Sequence, residues 1–255
     1  MSTVMARPNK HDATTREALL DAAEALLAAG GPDVVSVRSV ADEIGVSTRA
    51  VYSVFGSKSG LMGALAARGF HRLADLVNGL PVTDDPLADL AAAGPHAFRV
   101  FALASPHLFR ITFDQISEQI YSQPETYPAL FASYRSLASR CSRALDSGLV
   151  APRPVVELVF MYHSLCCGLA ANELSCQSPP VGSNFWKLAD GVDFAALWEA
   201  ALAAFVRGLG AATPARTRET HVGQRRRGRR ADRRSLAGRL PSRRAGESPA
   251  PPAPL

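Results

Sequence analysis

Between Ile44 and Gly60 the chain reads IGVSTRAVYSVFGSKSG, and its polar tips, Thr48, Arg49, Tyr52 and Lys58, are residue types that recognise nucleic acid. An arginine fork matches O6 and N7 of guanine, and a threonine can hydrogen-bond a base edge or touch a thymine methyl. Tyrosine hydroxyls and lysine ammonium groups bond phosphate oxygens, which sets register without reading sequence. Ser47, just ahead of these residues, and Ser36 and Arg38 in the preceding segment complete the candidate DNA-contact set. Interleaved with them runs an apolar stripe, Ala50, Val51, Val54 and Phe55, for which a loop would have no use. Other chemistry is poorly represented. No GxSxG elbow, HExxH pair, P-loop or dinucleotide glycine fingerprint stands in a suitable context, so no catalytic residue, metal or cofactor is expected and the chain does not read as an enzyme.

The elements that must hold these tips can be read from caps and periodicity. Leu19, Leu20, Ala23, Leu26 and Leu27 recur at helical intervals behind Thr14 and Glu17, whose spacing is that of a capping box, until Gly30-Gly31-Pro32; this predicts a helix over about 15–29. Ser36 can cap a second short helix with Val37, Val40, Ala41 and Ile44 on its inner face, and Gly45 supplies the turn. Ser47 can cap a third helix that ends at Gly56, and Ser57 a longer fourth one carrying Leu61, Met62, Leu65, Phe70, Leu73 and Leu76. Two short helices across a tight turn, braced by a third, form a helix-turn-helix, whose second helix enters the major groove N-terminus first. After LPVTDDP at 80–86, helical stretches follow near 86–104, 106–116, 126–147, 153–175 and 190–209, with a kink or split expected at Gly94-Pro95. The fold class is all-α.

The stretch SVRSVADEIGVSTRAVYSVFGSKSGL resembles the DNA-binding region of the TetR/AcrR family of bacterial transcriptional regulators, through its apolar frame, its glycine turn, the aromatics of AVYSVF and the GSK that opens the next helix. The resemblance covers about residues 12–65. It implies a recognition helix at about 47–55, with Thr48, Arg49 and Tyr52 as leading contacts and Lys58 as a phosphate anchor. Ser53 and Val54 depart from the pattern where members often carry a basic or aromatic residue, and Arg7, Lys10 and Arg16 of the N-terminal arm are the available compensation. RVFALASPHLFRITF at 99–113 and VFMYHSLCCGLAANEL at 159–174 are similar to one regulatory-domain subgroup of the same family. They imply a helical ligand-binding and dimerisation domain whose last two helices, about 153–175 and 190–209, pair with their counterparts. Ala196, Leu197, Ala200, Ala201, Ala204 and Phe205 supply a small-residue face suited to that.

The candidate effector pocket is drawn from the aromatic supply of the same helices: Phe98, Phe101, Phe109, Phe113, Phe131, Met161 and Tyr162, with polar tips from His163 and Cys166; each is also an ordinary core residue type. Adjacent Cys166 and Cys167 could sense oxidation or simply pack. The domains are accordingly an arm at 1–13, the helix-turn-helix at 14–63, the regulatory domain at 64–210 and a tail at 211–255.

Charge argues by placement alone. The chain carries a formal +5, yet residues 214–255 hold 12 Arg against Glu219, Asp232 and Glu247, while residues 1–63 sum to −1. The tail, poor in large apolar residues, is expected to be disordered and would bind any polyanion through counterion release. Four cysteines without a CxxC pair fit a reduced cytoplasm. Glu157 and His163 interrupt the apolar stretch 155–171, so no membrane span is expected. The expected function is a homodimeric, ligand-responsive repressor on an inverted-repeat operator. The alternative is a ligand-independent architectural DNA binder that uses the tail.

Overall fold

The computed structural model describes residues 10–114, 117–178, 187 and 189–210, with side chains from Thr14 onward, all within one compact unit. Eleven α-helices are present among these residues: α1 (Lys10–Gly30), α2 (Val37–Glu43), α3 (Thr48–Phe55), α4 (Lys58–Gly79), α5 (Pro86–Ala93), α6 (Arg99–Ala104), α7 (Pro106–Phe113), α8 (Glu118–Tyr121), α9 (Thr126–Asp146), α10 (Val155–Gln177) and α11 (Phe194–Gly208). The one extended pairing among the described residues is an isolated antiparallel bridge between Val150 and Gly210. The all-α expectation holds.

Local chemistry sets most of the boundaries. Ser36, Ser47, Ser57 and Asp85 each accept a backbone N–H from the first turn of α2, α3, α4 and α5, and a cap of this kind contributes about 1 kcal/mol. The start of α1 differs from expectation: the helix begins at Lys10, so Thr14 lies in its second turn and is not its cap. At Gly94-Pro95 the helical ladder changes register through a π-helical segment, Gly94–Phe98. Proline lacks an N–H and crowds the carbonyl four residues back, and Arg99 N–H reaches Gly94 O one residue further than an α-helix requires.

Helix α4 is the axis of the molecule. It buries Leu61, Met62, Leu65, Phe70, Leu73 and Val77 along 22 residues, a length of roughly 33 Å. It packs most extensively on α9 and also meets α1, α3 and α7. Its C-terminal end is closed by a side chain: Arg140 of α9 donates to Val77 O and Leu80 O, both at 2.9 Å, and to Asp89 O at 3.2 Å. Carbonyls at a helix end lack intrahelical partners, and the buried guanidinium supplies donors to Val77 O and to Leu80 O just beyond the helix. Beside it Asp89 accepts from Arg143 at 2.6 Å and from the backbone of Thr83 at 2.9 Å. Burial opposes ionisation of that carboxyl, but Arg143 and Thr83 prevail and hold it down to about 2.

The last two long helices are joined by a buried polar knot. Glu173 on α10 takes a forked pair of bonds from Arg99, at 2.8 and 3.0 Å, and a third from Trp198 Nε1 on α11 at 2.9 Å. Despite Glu157 and His163, helix α10 is 23 residues long, with a window of mean hydropathy 1.4, which by length and composition alone suits a membrane crossing; a core helix passes the same test. Only 28% of that window is buried within the chain.

Candidate functional site

Helix α3 is held by its inner face. Val51 is fully buried, and Val54 and Phe55 are half-buried against the core. Gly45 sits in the turn before it at φ 70°, a left-handed conformation that a side chain would strain, and Val46 N–H closes the turn on Ala41 O at 2.9 Å. With the apolar side fixed, the other side projects outward: Ser47, Thr48, Arg49, Tyr52 and Ser53 are exposed, Tyr52 to 53%. Lys58 is exposed in the first turn of α4, where free backbone amides also favour an anion.

Two of the candidate contacts carry other duties. The Ser36 hydroxyl is part of a reciprocal capping box: it accepts from Ser39 N at 3.0 Å while Ser39 Oγ accepts from Ser36 N at 2.9 Å. Arg38 is exposed and lies 3.7 Å from Asp42 one turn on, an arrangement of small energetic weight in water. Arg16, expected in a basic arm, is instead engaged. It pairs with Glu17 and Glu125 and lies over the Phe55 ring at 5.5 Å, bracing the end of α3. Arg7 and the Lys10 side chain lie outside the described residues, as does the arginine-rich tail.

A cavity of about 500 Å³ opens between α4, α9 and α10. Each helix contributes one stripe: Phe70, Leu73 and Val77 from α4; Leu130, Phe131, Ser133, Tyr134 and Leu137 from α9; Val156, Val159, Phe160 and His163 from α10. Phe98, Thr112, Phe113 and Tyr121 complete the wall. Of the pocket residues expected from sequence, Phe98, Phe113, Phe131 and His163 are therefore brought together. Phe101 and Phe109 are not; both are fully buried, meeting edge to face with ring centroids 5.5 Å apart. Met161 faces away, 43% exposed, with its sulfur 3.5 Å from Arg153 Nη1. Tyr162 is buried as well, its hydroxyl donating to Leu90 O at 2.7 Å. The missed residues had a signal in the i, i+3, i+4, i+7 spacing of 130, 133, 134 and 137 and of 156, 159, 160 and 163, but only a known phase converts spacing into lining.

His163 stands edge-on to Phe98 and Phe113, with ring centroids at 5.8 and 5.2 Å, and burial lowers its affinity for a proton. Its ring lies 3.5 Å from the Cys167 sulfur. Burial pushes the Cys167 and Cys141 thiols up to about 12 and Cys166 well above the usual thiol range. Thiols so held are poor nucleophiles, which gives the redox reading no support.

Residues 19–65 match the family model of bacterial regulatory proteins, tetR family. That segment is thus a TetR-family DNA-binding domain. The fold of the described unit is shared with solved structures. A protein of unknown function from Rhodococcus sp. RHA1 is 24% identical with a TM-score of 0.65, the match covering 80% of this chain and 100% of that one. A TetR-family transcriptional regulator from Pectobacterium atrosepticum is 20% identical at TM-score 0.53, covering 80% and 98%. RolR in complex with resorcinol is 16% identical at TM-score 0.50, covering 80% and 91%. Comparison with curated proteins yields no match. The TetR assignment carries the coarse function of a DNA-binding transcriptional regulator.

The TetR-type helix-turn-helix and the cavity meet on α4, and α4 is pinned to α1 by charge. Arg68 reaches Glu17 at 2.7 Å, Asp21 at 2.6 Å and Glu24 at 3.0 Å, and Arg72 reaches Glu24 at 2.6 Å and Ser105 Oγ at 2.9 Å. Phe70, on the cavity wall, sits between these two arginines in sequence.

Proposed function

We propose that the protein is a cytoplasmic homodimeric repressor that reads a short inverted-repeat operator through two copies of α3 and releases it when a small molecule fills the cavity. The observation that carries this reading is the joint exposure of Thr48, Arg49, Tyr52 and Lys58 around a helix anchored by fully buried Val51. Arg49 is assigned to a base edge, Thr48 to a neighbouring base, and Tyr52 and Lys58 to phosphates. Ser47 supports them as the cap of α3, and Arg38 is assigned to the flanking backbone.

Dimerisation is assigned to α10 and α11. Their outward side carries Val156, Phe160 and Met161 on one helix and Ala196, Leu197, Ala200 and Ala204 on the other, all exposed in the single chain. Such a face is costly in water and suits close helix packing across a two-fold axis, the symmetry that paired half-sites require. Release requires that the ligand favour the conformation that does not bind DNA, since equal affinity for both shifts nothing. The cavity wall shared with α4 supports such coupling, and RolR, similar in fold, binds resorcinol.

The test is binding of the purified chain to the DNA upstream of its own coding sequence and to random duplex, at two salt concentrations, for wild type and Arg49→Ala. Preferential binding to the upstream DNA, weakened by roughly 1–3 kcal/mol in the variant, is the expected result. Equal affinity for both duplexes would sink the operator reading.

A further inference from the structure

The walls of the cavity specify a class of ligand; this inference rests on the reading of that cavity as the effector site. Among the described residues, none that lines it is Lys, Arg, Asp or Glu. Its imidazole, His163, stands edge-on to Phe98 and Phe113, and burial lowers its affinity for a proton. A charged ligand would surrender its hydration to a site without a counter-charge, a steep cost in an apolar enclosure. An apolar ligand meets rings and aliphatic groups on all three helical stripes and loses no hydration of value.

Size and polarity narrow the class. At interior packing density, about 0.74, filling about 500 Å³ takes roughly 370 Å³ of molecular volume, well beyond a single ring. The hydrogen-bonding side chains of the lining are Thr112, Tyr121, Ser133, Tyr134 and His163, of which His163 is the one set between the aromatic rings of Phe98 and Phe113. Thr112 Oγ already gives its proton to Leu108 O at 2.7 Å and so faces the cavity as an acceptor. His163, as a neutral ring, offers one donor and one acceptor nitrogen. We propose that the cavity takes an uncharged, predominantly aromatic or alicyclic molecule of more than one ring, whose single hydroxyl or carbonyl group is met by His163.

A matched pair of fluorescent probes separates charge from shape: N-phenyl-1-naphthylamine and its 8-sulfonate share one skeleton and differ by one anion. Titrated into the full chain, the uncharged probe should saturate at one per chain and bind at least ~30-fold more tightly than the sulfonate, a gap set by unpaired charge burial. Phe131→Lys, at a rim position 45% exposed, should narrow that gap by bringing an ammonium group to the mouth. Leu130→Trp, half-buried on the wall, should abolish binding of the uncharged probe with the thermal melt retained. His163→Leu should leave that probe bound while erasing the advantage of 1-naphthol over naphthalene as its competitor.

Sulfonate binding as tight as that of the uncharged probe, with release of upstream DNA, would overturn the ligand class and leave the effector site standing. Unchanged competition by 1-naphthol in His163→Leu would overturn the polar contact. Failure of both probes to bind, or full binding in a folded Leu130→Trp variant, would overturn the class and the effector-site reading together.

Discussion

Gly60 lies directly against the Phe55 carbonyl: a β-carbon at position 60 would overlap that oxygen far inside van der Waals contact. Phe55 is the last residue of α3 and Gly60 lies in the first turn of α4, so this approach sets how the recognition helix joins the axis of the molecule. The obstruction is backbone, which cannot rotate away as a side chain would. Gly60→Ala should therefore shift α3 relative to α4 and lower stability by about 1–3 kcal/mol, with a larger proportional loss of operator affinity. Thermal melts together with DNA titration check this, and a variant with wild-type affinity would show that the junction tolerates the shift.

The outward face of α10 and α11 is expected to be covered by a second copy. Ala200→Glu and Ala204→Glu both alter positions exposed in the single chain, so the fold should survive either change. Two like charges then meet across a two-fold axis on an apolar face. Sedimentation should report a monomer for the double variant and a dimer for the wild type, with DNA affinity falling alongside. A double variant that remains dimeric would remove the interface from these helices.

The stability of the α4 terminus should depend on pH through Asp89. Its carboxyl, at about 2 in the folded chain, lies below the value of about 3.9 it has unfolded. A depressed carboxyl contributes stability that is complete above the unfolded value and disappears as the pH falls through the folded one. Asp89→Asn should therefore be destabilised by about 1.5–3 kcal/mol at pH 7, where a charge-assisted bond to Arg143 is lost. Its deficit should shrink as the pH falls from about 4 toward 2. Denaturant melts of both proteins over that range decide it; a deficit independent of pH would show that the carboxylate charge is not what matters.

Thiol reactivity offers a check on the cavity side of α10. With Cys141, Cys166 and Cys167 held as protonated thiols by burial, an aromatic disulfide reagent at pH 8 should modify Cys176 first and the other three only on unfolding. Rapid release of more than one equivalent from the native chain would reopen the oxidation reading.

Local interactions made much of this protein legible in its sequence alone. Caps at Ser36, Ser47 and Ser57, the glycine turn at 45, the break at Gly94-Pro95 and the proline start at 106 act within one turn of the chain, so their effect survives whatever packs against them. The all-α class and the exposed tips of α3 followed from the same local logic, since Val51, Val54 and Phe55 demand one buried side and leave the other outward. Tertiary structure decided what spacing leaves open. Each residue turns a helix by about 100°, so a supply of aromatics on α10 says nothing of which ones face α4 and α9 until those helices are packed; Phe160 and His163 reach the cavity while Met161, between them, does not. Phe101 and Phe109 went to the core for the same reason, and Arg16 was taken up by Phe55 and Glu125, partners distant in sequence. Long-range contacts of that kind depend on chain topology, which no window of residues contains.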